Sequence, residues 1–356
     1  MFDGLLRAVP DRDLDDILSG VSRSFYLSLA ILPRPVGTQI SVAYLVARAA
    51  DTIADTHAVR PERRRSLLDG LRGAVGDPRQ ARSIAEAVRR QCLLDGGATQ
   101  VPAERVLLER LADCLTILGR ASADDRARIR KVLDALITGM ERDLSRFPPT
   151  SPGDAPRALA TMEELDEHCY LAAGCVGEFW TGMTAAHLPA VAHLARPDLV
   201  ARGVRLGKAL QLVNVIRDAP ADLREGRCYL PLPLLARFGV VPADLIERAR
   251  RGSARPAIAE LIRLALAHVE GAWPYVEAIP RSAPRLRLAC VWPLWIGLAT
   301  LARLAALPDP LDPASAVKIP RVEVYRILIE SSATVSIDRW LARAHARRCA
   351  AVEHAM

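Results

Sequence analysis

Aromatic residues make up only 4% of this 356-residue chain, although 51% of it is hydrophobic. The core must therefore be built from Ala, Leu, Val and Ile, and together with abundant Arg and Glu that mix favours helices over strands. Cysteine pairing is also missing. The seven cysteines (Cys92, Cys114, Cys169, Cys175, Cys228, Cys290, Cys349) are odd in number and form no CxxC, which argues against a disulfide framework and for a reducing compartment. None of the seven histidines is spaced with a cysteine as metal ligands are. No apolar stretch reaches the roughly 20 residues of a membrane span. The nearest, Leu288–Ala302, contains Pro293 and reads as a buried helix. The first twenty residues are acidic where a secretory signal needs a basic region and an apolar run. A cytoplasmic protein is expected, with peripheral contact to a membrane left open. The net charge of +7 suits anionic substrates or an anionic membrane surface, and equally a composition rich in solvated arginine. Basic runs such as Glu62–Ser66 lack aromatic interleaving and read as solvated helix faces, so no nucleic-acid partner is expected.

Helical periodicity recurs along the chain, without repeats, strand alternation or low-complexity segments. Residues 1–20 read as an N-terminal segment, 21–340 as one all-α domain, and 341–356 as a basic, frayed tail. Expected helices include Leu14–Ile31, Gly37–Thr56, one opening at Thr161 with a capping pattern and running through Met183, and Leu199–Asp218. Gly174 and Gly177 in the third of these allow either close helix packing or room for a ligand.

Two stretches stand out. In Val42–Thr56, Tyr44, Arg48, Asp51 and Asp55 step by four, three and four, so they share one face of an otherwise apolar helix. In Gly207–Pro231, Gln211, Asn214, Asp218 and Asp222 step by three, four and four among apolar neighbours. Charged groups in such surroundings need a charged partner. Two DxxxD helices facing each other across a cavity would place four carboxylates around divalent metal, and hard oxygen ligands with incomplete protein coordination suit Mg²⁺ holding a diphosphate. A third pair, Asp11 and Asp15, lies in the polar run DRDLDD and reads as solvated surface. Ser22, Arg23 and Ser24 offer short donors and a cation for an oxyanion, or an ordinary helix entry. Arg48, Arg217 and Arg227 are further cations for phosphate. Metal-neutralised diphosphate is a leaving group, and the resulting allylic carbocation needs a dry apolar cavity.

These residues resemble the squalene/phytoene synthase family, which joins two prenyl diphosphates head to head. The resemblance runs from about Val21 to Ser332 and rests on SRSF (Ser22–Phe25), YxxxRxxDxxxD (Tyr44–Asp55), AGxVG (Ala173–Gly177) and QxxNxxRDxxxDxxxGRxYLP (Gln211–Pro231). It implies an all-α isoprenoid synthase fold, a helical bundle around a central cavity. It implies Mg²⁺ held by Asp51, Asp55, Asp218 and Asp222, with Asn214 and Gln211 alongside. It places Ser22, Arg23, Ser24, Phe25, Tyr44, Arg48, Arg217, Arg227 and Tyr229 at the prenyl diphosphate.

The C-terminal third, with LACVWPLWIGLATL and AVKIPR (Ala316–Arg321), is more similar to squalene synthases than to phytoene synthases. That implies presqualene diphosphate made from two farnesyl diphosphates, reduced by NADPH to squalene or a related C30 product. Lys318 and Arg321 would hold a diphosphate or the cofactor phosphate, or simply begin a basic helix. Two positions depart from the family. His168 stands where the family has a catalytic tyrosine, and a histidine would carry a proton in its place. Ala221 stands where a glutamate usually precedes the last Asp, and Pro220 beside it is expected to kink or end the helix. Other readings are a phytoene-type synthase using geranylgeranyl diphosphate, a terpene cyclase acting on one prenyl diphosphate, and a non-catalytic prenyl-lipid binding subunit.

Overall fold

The computed structural model describes residues 12–22, 25–77, 79–94, 101–148, 151, 153–314 and 317–356. Within them lie sixteen α-helices and a single two-residue parallel bridge, the all-α architecture expected. The contacts divide the chain into two compact units, Met1–Leu144 with Phe179–Ala195, and Ser145–Glu178 with Arg196–Met356.

The first unit begins with α1 (Arg12–Ser22) and α2 (Phe25–Ala30), with residues 23 and 24 of the expected single helix outside the described residues. Helix α3 (Arg34–Asp55) is its longest complete element and starts at a proline-marked N-terminus, where the missing N–H costs nothing. Leu45, Val46, Ala49, Ala50 and Ile53 are fully buried along it. They pack chiefly against α7 (Leu111–Gly119), after α4 (Pro61–Gly76), α5 (Ala81–Arg89) and α6 (Pro102–Glu109). Burying each such Leu, Ile or Val stabilises by about 1.5–3 kcal/mol before chain entropy is counted. Helix α8 (Ala123–Arg146) follows. One expectation fails here. Asp15 is buried, because its carboxylate accepts a 2.8 Å hydrogen bond from the Tyr26 hydroxyl of α2, and Asp11 lies outside the described residues.

In the second unit, Thr161 caps α9 (Met162–Cys169): its hydroxyl accepts from the Glu164 amide at 3.2 Å. The expected continuous helix is interrupted by a widened turn, Tyr170–Gly174, before α10 (Cys175–His187). The turn lies against α11 (Pro197–Arg224) so closely that Gly207 and Gly177 are compulsory. A Cβ on Gly207 would sit 2.1 Å from the Ala173 carbonyl oxygen, and one on Gly177 would sit 2.0 Å from that of Gly203. Of the two readings of Gly174 and Gly177, close packing is therefore what Gly177 provides, and a Cβ on Gly174 would likewise sit 3.1 Å from the Tyr170 ring. Pro220 does not end α11, which continues to Arg224. It forfeits one backbone hydrogen bond, and the helix lost there is short because the end is only a turn away.

After the bridge between β1 (Arg157–Ala158) and β2 (Arg227–Cys228) come α12 (Leu232–Ala236), α13 (Arg255–Ala278), α14 (Pro284–Ala306), α15 (Arg321–Thr334) and α16 (Asp338–Ala355). Helix α14 extends the expected apolar stretch to 23 residues, long and apolar enough to cross a membrane, but 72% of its apolar window is buried inside the protein. It is a core helix, with Trp295 wholly enclosed and the Arg348 guanidinium 3.9 Å from its ring centroid. The tail over 341–356 is not frayed. It belongs to α16, because Leu341, Ala344, His345 and Val352 form an apolar edge that is buried, largely against α14.

Candidate active site

The polar stripe of α3 is the accessible side of that helix: Tyr44, Arg48 and Asp51 are half-buried, Asp55 is exposed, and their flanking neighbours are mostly buried. Arg48 is held between two carboxylates, Asp51 one turn on and Glu104 of α6 at 2.5 Å. Burial alone would lower its pKa, yet Asp51 and Glu104 together raise it. Glu104 was invisible in the sequence, lying 56 residues away in no motif. The SRSF segment meets the stripe. The Phe25 ring lies 5.5 Å from that of Tyr44, and the Tyr44 hydroxyl is 3.5 Å from the Val21 carbonyl. Ser22 is buried, its hydroxyl donating to the Leu18 carbonyl, and Arg23 and Ser24 lie outside the described residues.

On α11 the second stripe forms a chain of contacts. The Asn214 amide donates to Gln211 Oε1 at 3.4 Å, which turns the Gln211 amide nitrogen toward His168 Nε2 at 3.2 Å. The close seat of α11 against the Tyr170–Gly174 turn sets this spacing. His168 is buried, its ring 4.3 Å from Tyr229, which in turn meets Phe147 edge-on at 5.1 Å. Phe147 is the aromatic contact that no sequence pattern announced. Asp218 is bound by both arms of Arg217, at 2.8 and 2.6 Å. Asp222 lies 3.3 Å from Arg227, which also reaches Glu225 at 2.6 Å.

Asp222 is the most perturbed acid here. Burial pushes its carboxyl up to about 7, Asp218 and Glu225 push the same way, and Arg227 and His168 pull it down without cancelling the rise. Arg227 thus compensates this carboxyl only in part, and an added cation would lower its pKa further. Carboxylate and amide oxygens on Asp218, Asp222, Asn214 and Gln211 form a hard donor set that fits Mg²⁺. Among the described residues no three His, Cys, Asp or Glu side chains gather as a metal cage. Lys318 and Arg321 are both exposed, Arg321 at the start of α15.

The sequence profile of the squalene/phytoene synthases matches residues 18–323. A presqualene diphosphate synthase from Rhodopseudomonas palustris is 29% identical over 74% of this chain and 78% of its own length. A phytoene synthase from Thermus thermophilus is 37% identical, but over 43% of this chain and 44% of its own. Among solved structures, a ligand complex of TcSQS superposes with a TM-score of 0.76 at 22% identity, covering 97% of this chain and 96% of that one, which establishes the shared fold. The chain belongs to the squalene/phytoene synthase family of prenyltransferase-type enzymes.

Proposed function

We propose that the protein condenses two farnesyl diphosphates head to head into presqualene diphosphate and carries that on to squalene or a related C30 product. The observation that carries this reading is the α11 site: two aspartates, one of them half-buried with its carboxyl pushed up by desolvation, beside a histidine met by Gln211 and Asn214. The similarity to a presqualene diphosphate synthase over three quarters of the chain supports the substrate class.

In this reading Mg²⁺ held by Asp51, Asp55, Asp218 and Asp222 would neutralise the departing diphosphate. The arginines do the rest of the charge work. Arg48, Arg217 and Arg227 each rest on carboxylates and would exchange them for phosphate oxygens, to which a guanidinium donates two parallel bonds. By the family resemblance, Ser22, Arg23, Ser24, Phe25, Tyr44 and Tyr229 would contact the prenyl diphosphate. His168, with one ring nitrogen 3.2 Å from the Gln211 amide nitrogen, would take the place of the family's tyrosine as the proton carrier. Lys318 and Arg321 would hold the phosphate of NADPH in the reductive half-reaction. The enzyme would work in the cytoplasm with peripheral contact to a membrane.

The test is to incubate purified protein with farnesyl diphosphate and Mg²⁺, with and without NADPH, and to identify extracted products by mass spectrometry. Squalene formed only with NADPH is the expected result. Presqualene diphosphate or an alcohol in both tubes would place a changed second half-reaction at His168. A fifteen-carbon product alone would overturn the head-to-head reading in favour of a cyclase. Turnover of geranylgeranyl diphosphate alone would make it a phytoene-type enzyme, the reading favoured by the 37% identical stretch.

A further inference from the structure

We propose that the outer face of α15 is a docking surface for an anionic lipid bilayer. Val322, Tyr325 and Ile329 follow one another at steps of three and four, so they form one ridge along the helix. Their relative exposures are 68%, 54% and 71%, and no other large apolar side chain among the described residues is as exposed as Val322 or Ile329. The helix is firmly seated on its other side. Ile327 and Ser331 are buried, and the Ser331 hydroxyl accepts a 2.9 Å hydrogen bond from the Trp292 indole of α14. The ridge is thus a rigid surface rather than a frayed end.

Charge says what covers it. The two acidic residues of α15 are committed to the protein: Glu323 pairs with Arg303 at 2.6 Å, and Glu330 with Arg347 and Arg348 at 2.8 and 2.6 Å. The cation beside the ridge, Arg326 on its flank, is exposed. Three residues past the end of α15, α16 opens with exposed Arg339 and Trp340, the guanidinium 5.9 Å from the indole centroid. Apolar side chains that enter the acyl boundary, a tyrosine and a tryptophan suited to the headgroup layer, and arginines positioned to meet lipid phosphates together describe an interfacial helix. A second copy of this chain would bring arginine against arginine at the same ridge, whereas anionic headgroups complement it. The surface does not depend on which prenyl diphosphate the enzyme uses.

The test is flotation of the full chain with vesicles of phosphatidylcholine alone, and of phosphatidylcholine with about 30% phosphatidylglycerol. Binding is expected to the anionic vesicles, to weaken in about 0.5 M salt, and to be slight on the neutral ones. The variant V322S/I329S should bind at least about tenfold more weakly, and R326Q about fivefold more weakly. Both should keep wild-type far-ultraviolet circular dichroism and wild-type turnover of detergent-dispersed substrate, since neither touches the reaction site. Equal flotation of wild type and V322S/I329S, equal binding to neutral vesicles, or no flotation would overturn the proposal. So would a dimer in light scattering that V322S/I329S converts to monomer, which would assign the ridge to a second copy.

Discussion

Replacing Gly207 by alanine sets two ordinary effects against each other. In a helix interior alanine is favoured over glycine by about 1 kcal/mol, so propensity alone makes Gly207→Ala stabilising. Packing says the opposite. The new Cβ would lie 2.1 Å from the Ala173 carbonyl oxygen and 2.6 Å from its carbon. Carbon–oxygen contacts settle near 3.3 Å, so the backbones must part by about 1.2 Å. No rotamer can relieve a clash with backbone, which places the cost at the upper end of the usual 1–3 kcal/mol for overpacking. The net loss should be about 2 kcal/mol. For a chain of this size, with an unfolding entropy of roughly 2.1 cal/mol/K per residue, that lowers the melting temperature by about 3 °C. The separation also pulls Gln211 from His168, so turnover should fall more than stability. Gly297→Ala is the control: its Cβ would meet Leu210 and Val213 side chains at an ordinary 3.5 Å, and it should gain up to about 1 kcal/mol from propensity. Thermal unfolding of both variants decides. Gly207→Ala as stable as the wild type would refute the close seat of α11 on the Tyr170–Gly174 turn.

Other consequences are equally direct. Asp222 has a folded pKa of about 7 against an ordinary 3.8. Its contribution to stability is therefore complete at low pH and is lost as pH rises through about 7. That loss begins above about pH 3.8, so in chelator Asp222→Asn should gain on the wild type steadily between pH 5 and pH 8; a melting difference that is the same at both pH values would contradict the desolvation of this carboxyl. His168→Phe keeps the ring against Tyr229 but loses the Gln211 hydrogen bond, so it should preserve melting behaviour while cutting squalene formation by about a hundredfold; wild-type product yield would remove the proton from His168. Six of the seven cysteines are buried, and burial pushes Cys92 up to about 11 and Cys169, Cys175 and Cys228 up to about 12. A thiol reagent should find at most Cys349 quickly in native protein and all seven after denaturation; several fast thiols in the native state would contradict that packing.

Local pattern was a good guide where it acts locally. The four-three-four steps of Tyr44, Arg48, Asp51 and Asp55 needed only helical geometry to predict one accessible face, and the capping pattern at Thr161 needed only its neighbours. What escaped was long-range. Glu104 could not be matched to Arg48 across 56 residues, nor could Asp15 be recognised as the buried partner of Tyr26. Pro220 misled for a different reason. Its penalty is one lost hydrogen bond, and packing of Val215, Ile216, Ala219 and Leu223 against the core outweighs it. Helix α16 misled because a basic, alanine-rich stretch hides the narrow apolar edge of Leu341, Ala344, His345 and Val352 that anchors it. The interruption at Tyr170–Gly174 has no simple sequence mark, yet it is what allows Gly177 and Gly207 their backbone contacts.

The central claim is that the two aspartate stripes act on one diphosphate chemistry, and it is tested most directly by measuring product formation from farnesyl diphosphate in Asp51→Asn and Asp218→Asn. Each substitution removes one charge and almost no volume, so circular dichroism and melting temperature should stay near wild type. Turnover should fall by about a thousandfold in each, the effect of removing several kcal/mol of charge stabilisation from the departing diphosphate. Near-wild-type turnover in either folded variant would contradict the account.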